Sequence, residues 1–194
     1  MRTEGFTLIE LAVVLAVTAL LAAVLTPLVM GYLDQARGSR AQADLRTIAD
    51  GIKLYQRDTG RYPIYNAGGY PTTVSDGSKN IFAGPGNTPT DTASWGLGSA
   101  IAATTLEAWI NGNFTSVSTT NTFPKAGFRG PYVSNIESDP WGNQYLLNAA
   151  NLNSGTYHAF VVSAGPNGVL DTAKNQAATA PLSIGSDDIV SVIQ

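Results

Sequence analysis

The sequence predicts an α+β protein, in which one long N-terminal α-helix packs on a small antiparallel β-sheet with irregular loops. Three observations carry that prediction. Phe6 to Met30 is an apolar run with no Lys or Arg inside it. Ala41, Leu45, Ile48, Ile52 and Tyr55 recur at alternating spacings of four and three, which continues the helix with one apolar stripe. From Gly130 onward, turns punctuated by Pro and Gly separate short apolar stretches of strand length.

The first run is long enough to cross a bilayer, which takes roughly 20 apolar residues at about 1.5 Å rise each. Its only carboxylate, Glu10, lies near its start. A carboxylate in hydrocarbon costs about 2.5–3.5 kcal/mol at a helix centre and less towards an end, so Glu10 calls for a partner from elsewhere. Met1-Arg2-Thr3-Glu4-Gly5 is too short and too polar to front a secretory signal cut after its apolar core. A cut between Gly5 and Phe6 would instead free an α-ammonium about one helical turn from Glu10. That ammonium could neutralise the Glu10 of a neighbouring subunit and set axial register. Pro27 removes a backbone donor and marks a place where the helix can bend or locally melt. An ordinary single-pass anchor, with Glu10 snorkelling to an interface, is the plainer reading of the same run.

Beyond Met30 the apolar stripe runs among Arg40, Asp44, Arg46, Asp50 and Lys53. Gly31, Gly38 and Gly51 each cost about 1 kcal/mol relative to alanine in a helix interior, yet they permit close packing or curvature. Asp58-Thr59-Gly60-Arg61-Tyr62-Pro63 ends the helix with a glycine and a following proline. The chain thus divides into a leader over 1–5, an apolar helical segment over 6–30, and one globular domain over 31–194 that includes the amphipathic half of the stem.

Composition excludes several functions. A net charge of -3 and a pI near 5.0 give no basic footprint for direct nucleic-acid binding. The single histidine, His158, sits in an apolar stretch and reads as a sheet position. With no cysteine and no glycine-rich phosphate loop, and with Ser163 outside any nucleophile-elbow pattern, the chain does not read as an enzyme. The lack of cysteine also means that an exported domain must be held together without disulfides.

Tyr65 to Lys125 is rich in Gly, Asn, Thr, Ser and Pro, and reads as extended surface loops interrupted by one helix from Gly98 to Ile110. Ile101, Leu106, Trp109 and Ile110 of that helix would dock on the stem stripe, and Trp95 and Phe114 read as core residues. The turn Asp139-Pro140-Trp141-Gly142-Asn143-Gln144 leads into a strand through Tyr145-Leu146-Leu147. Further strands follow at Tyr157 to Val162 and at Ile189 to Val192. Between them, Asp171, Asp187 and Asp188 supply hard oxygen ligands of the kind calcium takes. Asp187 and Asp188 could equally cap or solvate the entrance to the last strand.

Gly5-Phe6-Thr7-Leu8-Ile9-Glu10 resembles the prepilin signature of type IV pilins and type II secretion pseudopilins. Gly60-Arg61-Tyr62-Pro63, the Asp139 turn and Ser163-Ala164-Gly165-Pro166-Asn167-Gly168 look like the major pseudopilin, the G subunit, of type II secretion. The resemblance covers Gly5 to Pro63 and Gly130 onward, and lapses over a long middle segment, 66–125. It implies a prepilin peptidase that cuts after Gly5 and N-methylates Phe6, and a Glu10 that aligns incoming subunits. Family members often carry a proline where Pro27 stands. The implied subunit is anchored once in the bacterial inner membrane, with its C-terminal domain in the periplasm. An assembly platform and its ATPase then draw it into a helical homopolymer with minor pseudopilins, and that filament promotes protein export. The resemblance also implies calcium, with Asp187 and Asp188 matching the family's later Asp-Asp-Ile and Asp171 matching by position alone. Asn167 stands where relatives are often acidic, and 172–186 is a long loop rich in Ala and Thr. A type IV pilin of a surface filament, serving adhesion, motility or DNA uptake, is the alternative. A solitary tethered binding domain would require Gly5 to stay uncut.

Overall fold

The computed structural model describes residues 7–60, 62, 82–97, 105–111 and 127–194. Helix α1 spans Leu8–Thr59 and continues through Pro27, Gly31, Gly38 and Gly51. It ends where the sequence predicts: Gly60 adopts a φ of 72°, which glycine takes without strain, and its N–H closes back on the Gln56 carbonyl at 2.8 Å. The chain forms two compact units, Met1–Arg37 and Gly38–Gln194.

In the first unit, large apolar side chains from Leu8 to Leu33 are exposed around the whole helix. Such a surface is suited to lipid or to other helices. The Thr18 and Thr26 hydroxyls donate to carbonyls of the preceding turn, Thr18 to Val14 and Leu15 and Thr26 to Ala22, so neither needs water.

The second unit is built on a four-stranded sheet in the order β1-β3-β4-β6, antiparallel throughout. Its strands are β1 Phe82–Ala83, β3 Leu146–Leu147, β4 Phe160–Ser163 and β6 Ile189–Val192. The register pairs Leu146 with Val162 and Leu147 with Val161, so one face collects Leu147, Val161 and Ile189 and the other collects Leu146, Phe160, Val162 and Val190. The first face packs with Leu45, Ile48, Ala49 and Ile52 of α1 and with Leu106 and Ile110 of α2, Thr105–Ile110. The second face packs with Ala83, Trp95, Ala164 and Leu170. Both faces are covered, which explains why Phe160-Val161-Val162 is apolar without alternation.

The middle of the chain differs from its expected form as surface loop. Phe82–Ala83 adds an edge strand, and β2 Thr90–Asp91 pairs in parallel with β5 Val169–Leu170. Trp95 is fully buried, as expected of a core residue, and stacks edge-on against Phe160 at 5.7 Å. These strands are two residues long, too short to leave an alternating pattern in a sequence dominated by Gly, Asn and Thr. The second strand begins at Phe160, with Tyr157 held only in a bridge to Ala177. The expected helical start over Gly98–Ile101, and Phe114, lie outside the described residues.

Where a disulfide might have stapled the domain, buried amides do so. The Asn148 amide donates to the carbonyls of His158 and Lys174 and accepts from the Phe160 N–H. The Asn151 amide reaches the same two carbonyls. The long 172–186 loop is thereby tied to the sheet, and His158 Nε2 lies 2.9 Å from the Ala180 carbonyl, a structural place for the single histidine.

Candidate functional site

At the start of α1, Thr7 and Glu10 form a reciprocal cap. The Thr7 N–H and hydroxyl donate to Glu10 Oε2 at 2.8 and 2.9 Å, and the Glu10 N–H donates to Thr7 Oγ1 at 3.3 Å. A hydroxyl residue before the helix and a Glu three places on satisfy two otherwise unpaired backbone donors. Sequence reasoning singled out Glu10 and missed Thr7, although Thr-x-x-Glu before an apolar run is the signature of such a box. Glu10 is therefore engaged within its own chain, through Oε2, at the edge of the apolar segment. Pro27 lies within the uninterrupted helix. Gly5 and Phe6 lie outside the described residues.

The second candidate region is acidic and lies where the 165–172 and 185–188 segments meet. Gly165, at a φ of 62°, lets the turn pass directly over the Asp187 backbone, where any Cβ would collide with the Asp187 carbonyl. The three aspartates then part company. Asp187 accepts from the Asn167 N–H at 3.0 Å and, closely, from the Asn167 side-chain amide. Asp188 Oδ2 accepts from the Asp171 and Thr172 N–H groups at 3.0 and 2.6 Å, while its buried Oδ1 has no hydrogen-bond partner among the described residues. Burial pushes the Asp188 carboxyl above the ordinary carboxylate value; the hydrogen bonds from Thr172 and Asp171 act against that rise and the charge of Asp171 adds to it. Asp171 itself is exposed, with Oδ1 receiving the Thr92 hydroxyl at 2.6 Å.

Among the described residues, no three His, Asp or Glu side chains converge on one point. The acidic group is therefore a pair, Asp171 and Asp188, beside a separately satisfied Asp187. Sequence reasoning did not find Asn167 as the donor to Asp187, nor Thr92 and Trp95 as neighbours of the acidic loop. Only the fold brings positions 77 to 79 residues apart together.

Two family models match successive parts of the chain: the prokaryotic N-terminal methylation motif over residues 1–26, and type II secretion system (T2SS) protein G over residues 28–98. Through residue 98 the chain is thus similar first to the methylation-motif family and then to T2SS protein G. The protein G match runs through residue 98, further into the middle than the leader and stem motifs reach.

Relatives of this pilin-like chain are named type II secretion system core protein G. That of Escherichia coli K12 is 27% identical over 172 residues, covering 88% of this chain and 87% of its own. That of Pseudomonas aeruginosa is 28% identical over 144 residues, 74% of this chain and 72% of its own. That of Klebsiella pneumoniae is 25% identical over 169 residues, 87% of this chain and 88% of its own. No solved structure matches the chain. The N-terminal helix is long and apolar enough to cross a membrane.

Proposed function

We infer that this chain is a structural subunit of a type II secretion pseudopilus. One observation carries the reading: an apolar helix, exposed throughout its best window of mean hydropathy 2.7, starts within the methylation motif of residues 1–26 and carries the capping Glu10 in its first turn. In this reading prepilin peptidase cuts between Gly5 and Phe6 and methylates Phe6, and the α1 segment holds the subunit once across the inner membrane with its folded domain in the periplasm. The assembly platform and its ATPase then move subunits into a filament in which the apolar faces pack on each other. The exposed apolar surface, costly in water at about 25 cal/mol per Å², finds lipid first and sister helices afterwards. Minor pseudopilins would join the same filament.

The test is complementation of a strain lacking the gene. The wild-type chain restores export of secreted proteins to the medium; a Glu10→Ala chain inserts into the inner membrane but does not restore export. Surface filaments together with unimpaired export in the deletion strain would overturn this reading in favour of a surface pilin.

A divalent cation, calcium by the family resemblance, is part of the same reading. Support comes from Asp188 Oδ1, a buried acceptor that lacks a donor in a loop already holding Asp171. Asp188 and Asp171 would hold the ion, with neighbouring backbone carbonyls completing an oxygen shell. Bound there, the ion supplies positive charge to a buried carboxylate and joins the 165–172 and 185–188 segments. Asp187, satisfied by Asn167, would contribute through its backbone position.

A further inference from the structure

We propose that Thr92 and Trp95 are positioning residues for a divalent cation at Asp171 and Asp188, so that the middle segment of the chain sets how tightly that ion is held. The proposal rests on the cation reading above and adds residues that do not themselves touch the ion.

The geometry is built in steps. Parallel pairing of β2 with β5 sets Thr90 beside Val169 and Asp91 beside Leu170, which brings the next residue, Thr92, level with Asp171. Two backbone bonds fix that register, from Thr90 N–H to the Gly168 carbonyl at 2.9 Å and from Thr92 N–H to the Leu170 carbonyl at 3.3 Å. The Thr92 hydroxyl then lies 2.6 Å from Asp171 Oδ1, the shorter of its two acceptor contacts, the other being the Leu170 carbonyl at 2.9 Å. Thr92 is exposed, so water could solvate its hydroxyl and the bond serves no burial need. Its effect is to restrict the rotation of an otherwise exposed carboxylate.

Asp91 forms the second part of the device. Its carboxylate accepts from the N–H groups of Ala93, Trp95, Gly96 and Leu97, which curls the segment so that Trp95 enters the core. There the indole N–H donates to the Thr172 carbonyl at 2.6 Å, while the Thr172 N–H holds Asp188 Oδ2 at 2.6 Å. Lys174 Nζ closes the clasp on the Trp95 carbonyl at 3.1 Å. One residue, Thr172, thus links the indole to Asp188 through its carbonyl and its N–H, and one hydroxyl links β2 to Asp171. Groups that orient ligands in advance strengthen metal binding by lowering the ordering cost, typically about 10–100-fold.

The experiment uses the full-length chain in detergent micelles, titrated with calcium by calorimetry and with terbium as a luminescent stand-in excited through tryptophan. Asp188→Asn should abolish binding. Thr92→Val should weaken calcium about 10-fold without lowering the unfolding temperature in chelator, and Thr92→Ser should restore wild-type affinity. Trp95→Phe should remove most tryptophan-sensitised terbium emission and weaken calcium binding. Unchanged affinity in Thr92→Val and Trp95→Phe, with binding still lost in Asp188→Asn, would overturn the positioning role and leave the cation site standing. An equal loss of stability in Thr92→Val with and without calcium would also overturn it, as an ordinary structural contact. No calcium binding by the wild-type chain would overturn both readings.

Discussion

The Tyr145 hydroxyl donates to Asp44 Oδ2 at 2.9 Å, fastening the approach to β3 onto the stem helix across 101 residues of sequence. The Tyr145 ring is buried, and Asp44 also lies 3.6 Å from Arg40, whose other nitrogen holds Glu137 at 2.8 Å. Burial first, then the hydrogen bond and charge of Asp44, push the phenol far above its ordinary value, so it remains a donor through the whole range in which the protein is handled. Tyr145→Phe keeps the packing and removes the bond. Because Asp44 is part-exposed and can turn to water, the expected loss is about 1 kcal/mol. That corresponds to a fall of about 2–4 °C in unfolding temperature for a chain of this length. An unchanged transition by near-UV circular dichroism would mean the bond adds nothing.

The Thr7 and Glu10 cap separates two effects that a Glu10 substitution alone would merge. Thr7→Ala removes the N-cap hydroxyl and leaves the carboxylate, with an expected cost of about 1 kcal/mol at the helix start. Glu10→Ala removes both the cap and the charge a neighbouring α-ammonium would meet. Both variants should insert into membranes. Thr7→Ala should slow filament formation and Glu10→Ala should prevent it, as scored by crosslinking of membrane-extracted subunits. Equal defects in the two would show that the cap, and not the charge, is what assembly needs.

Two glycines of α1 should respond oppositely to alanine. Around Gly38 nothing lies within 4 Å of an added Cβ, so Gly38→Ala should stabilise by up to about 1 kcal/mol through helix propensity. At Gly51 a Cβ would run into Val133 Cγ2 and lie 3.3 Å from the Tyr132 carbonyl. The overpacking cost of about 1–3 kcal/mol then exceeds the propensity gain, and Gly51→Ala should destabilise. Denaturant midpoints of the two variants decide this; a stabilised Gly51→Ala would show that the Val133 segment yields easily.

Much of this division was legible because periodicity records burial. The stripe Ala41, Leu45, Ile48, Ile52 and Tyr55 is buried throughout, and Ile189 to Val192 forms the last strand. Glu10 stood out because a carboxylate within an apolar run needs a reason. What stayed hidden depends on pairing between distant segments. Trp95 read as core, yet its partner Thr172 is a polar residue in a loop, buried with its carbonyl on the indole and its N–H on the Asp188 carboxylate. Asn167 looked like a lost acidic ligand; in the fold its amide meets Asp187 as a donor, which an acidic residue could not do.

Asp91 and Asp188 should give stability opposite dependences on pH, and chelator makes both visible. Partial burial raises the Asp91 carboxyl, but the backbone bonds from Trp95, Leu97, Gly96 and Ala93 outweigh it and hold the group below its ordinary value. Its contribution is present above the unfolded value and lost as pH falls through the depressed folded one. For Asp188 the folded value is raised, chiefly by burial. The folded state then holds more protons than the unfolded state between the two values, so stability falls as pH rises across that window, and the penalty is complete above it. Asp188→Asn in chelator should therefore raise the unfolding temperature at neutral pH, by an amount that vanishes in acid. Asp91→Asn should lower it at neutral pH, by an amount that likewise shrinks in acid. Calcium should reverse the first result, since the ion neutralises Asp188 only in the wild-type chain. Thermal unfolding from neutral down to about pH 3 tests all three; a difference curve for Asp188→Asn that runs flat would show that Asp188 carries no buried charge.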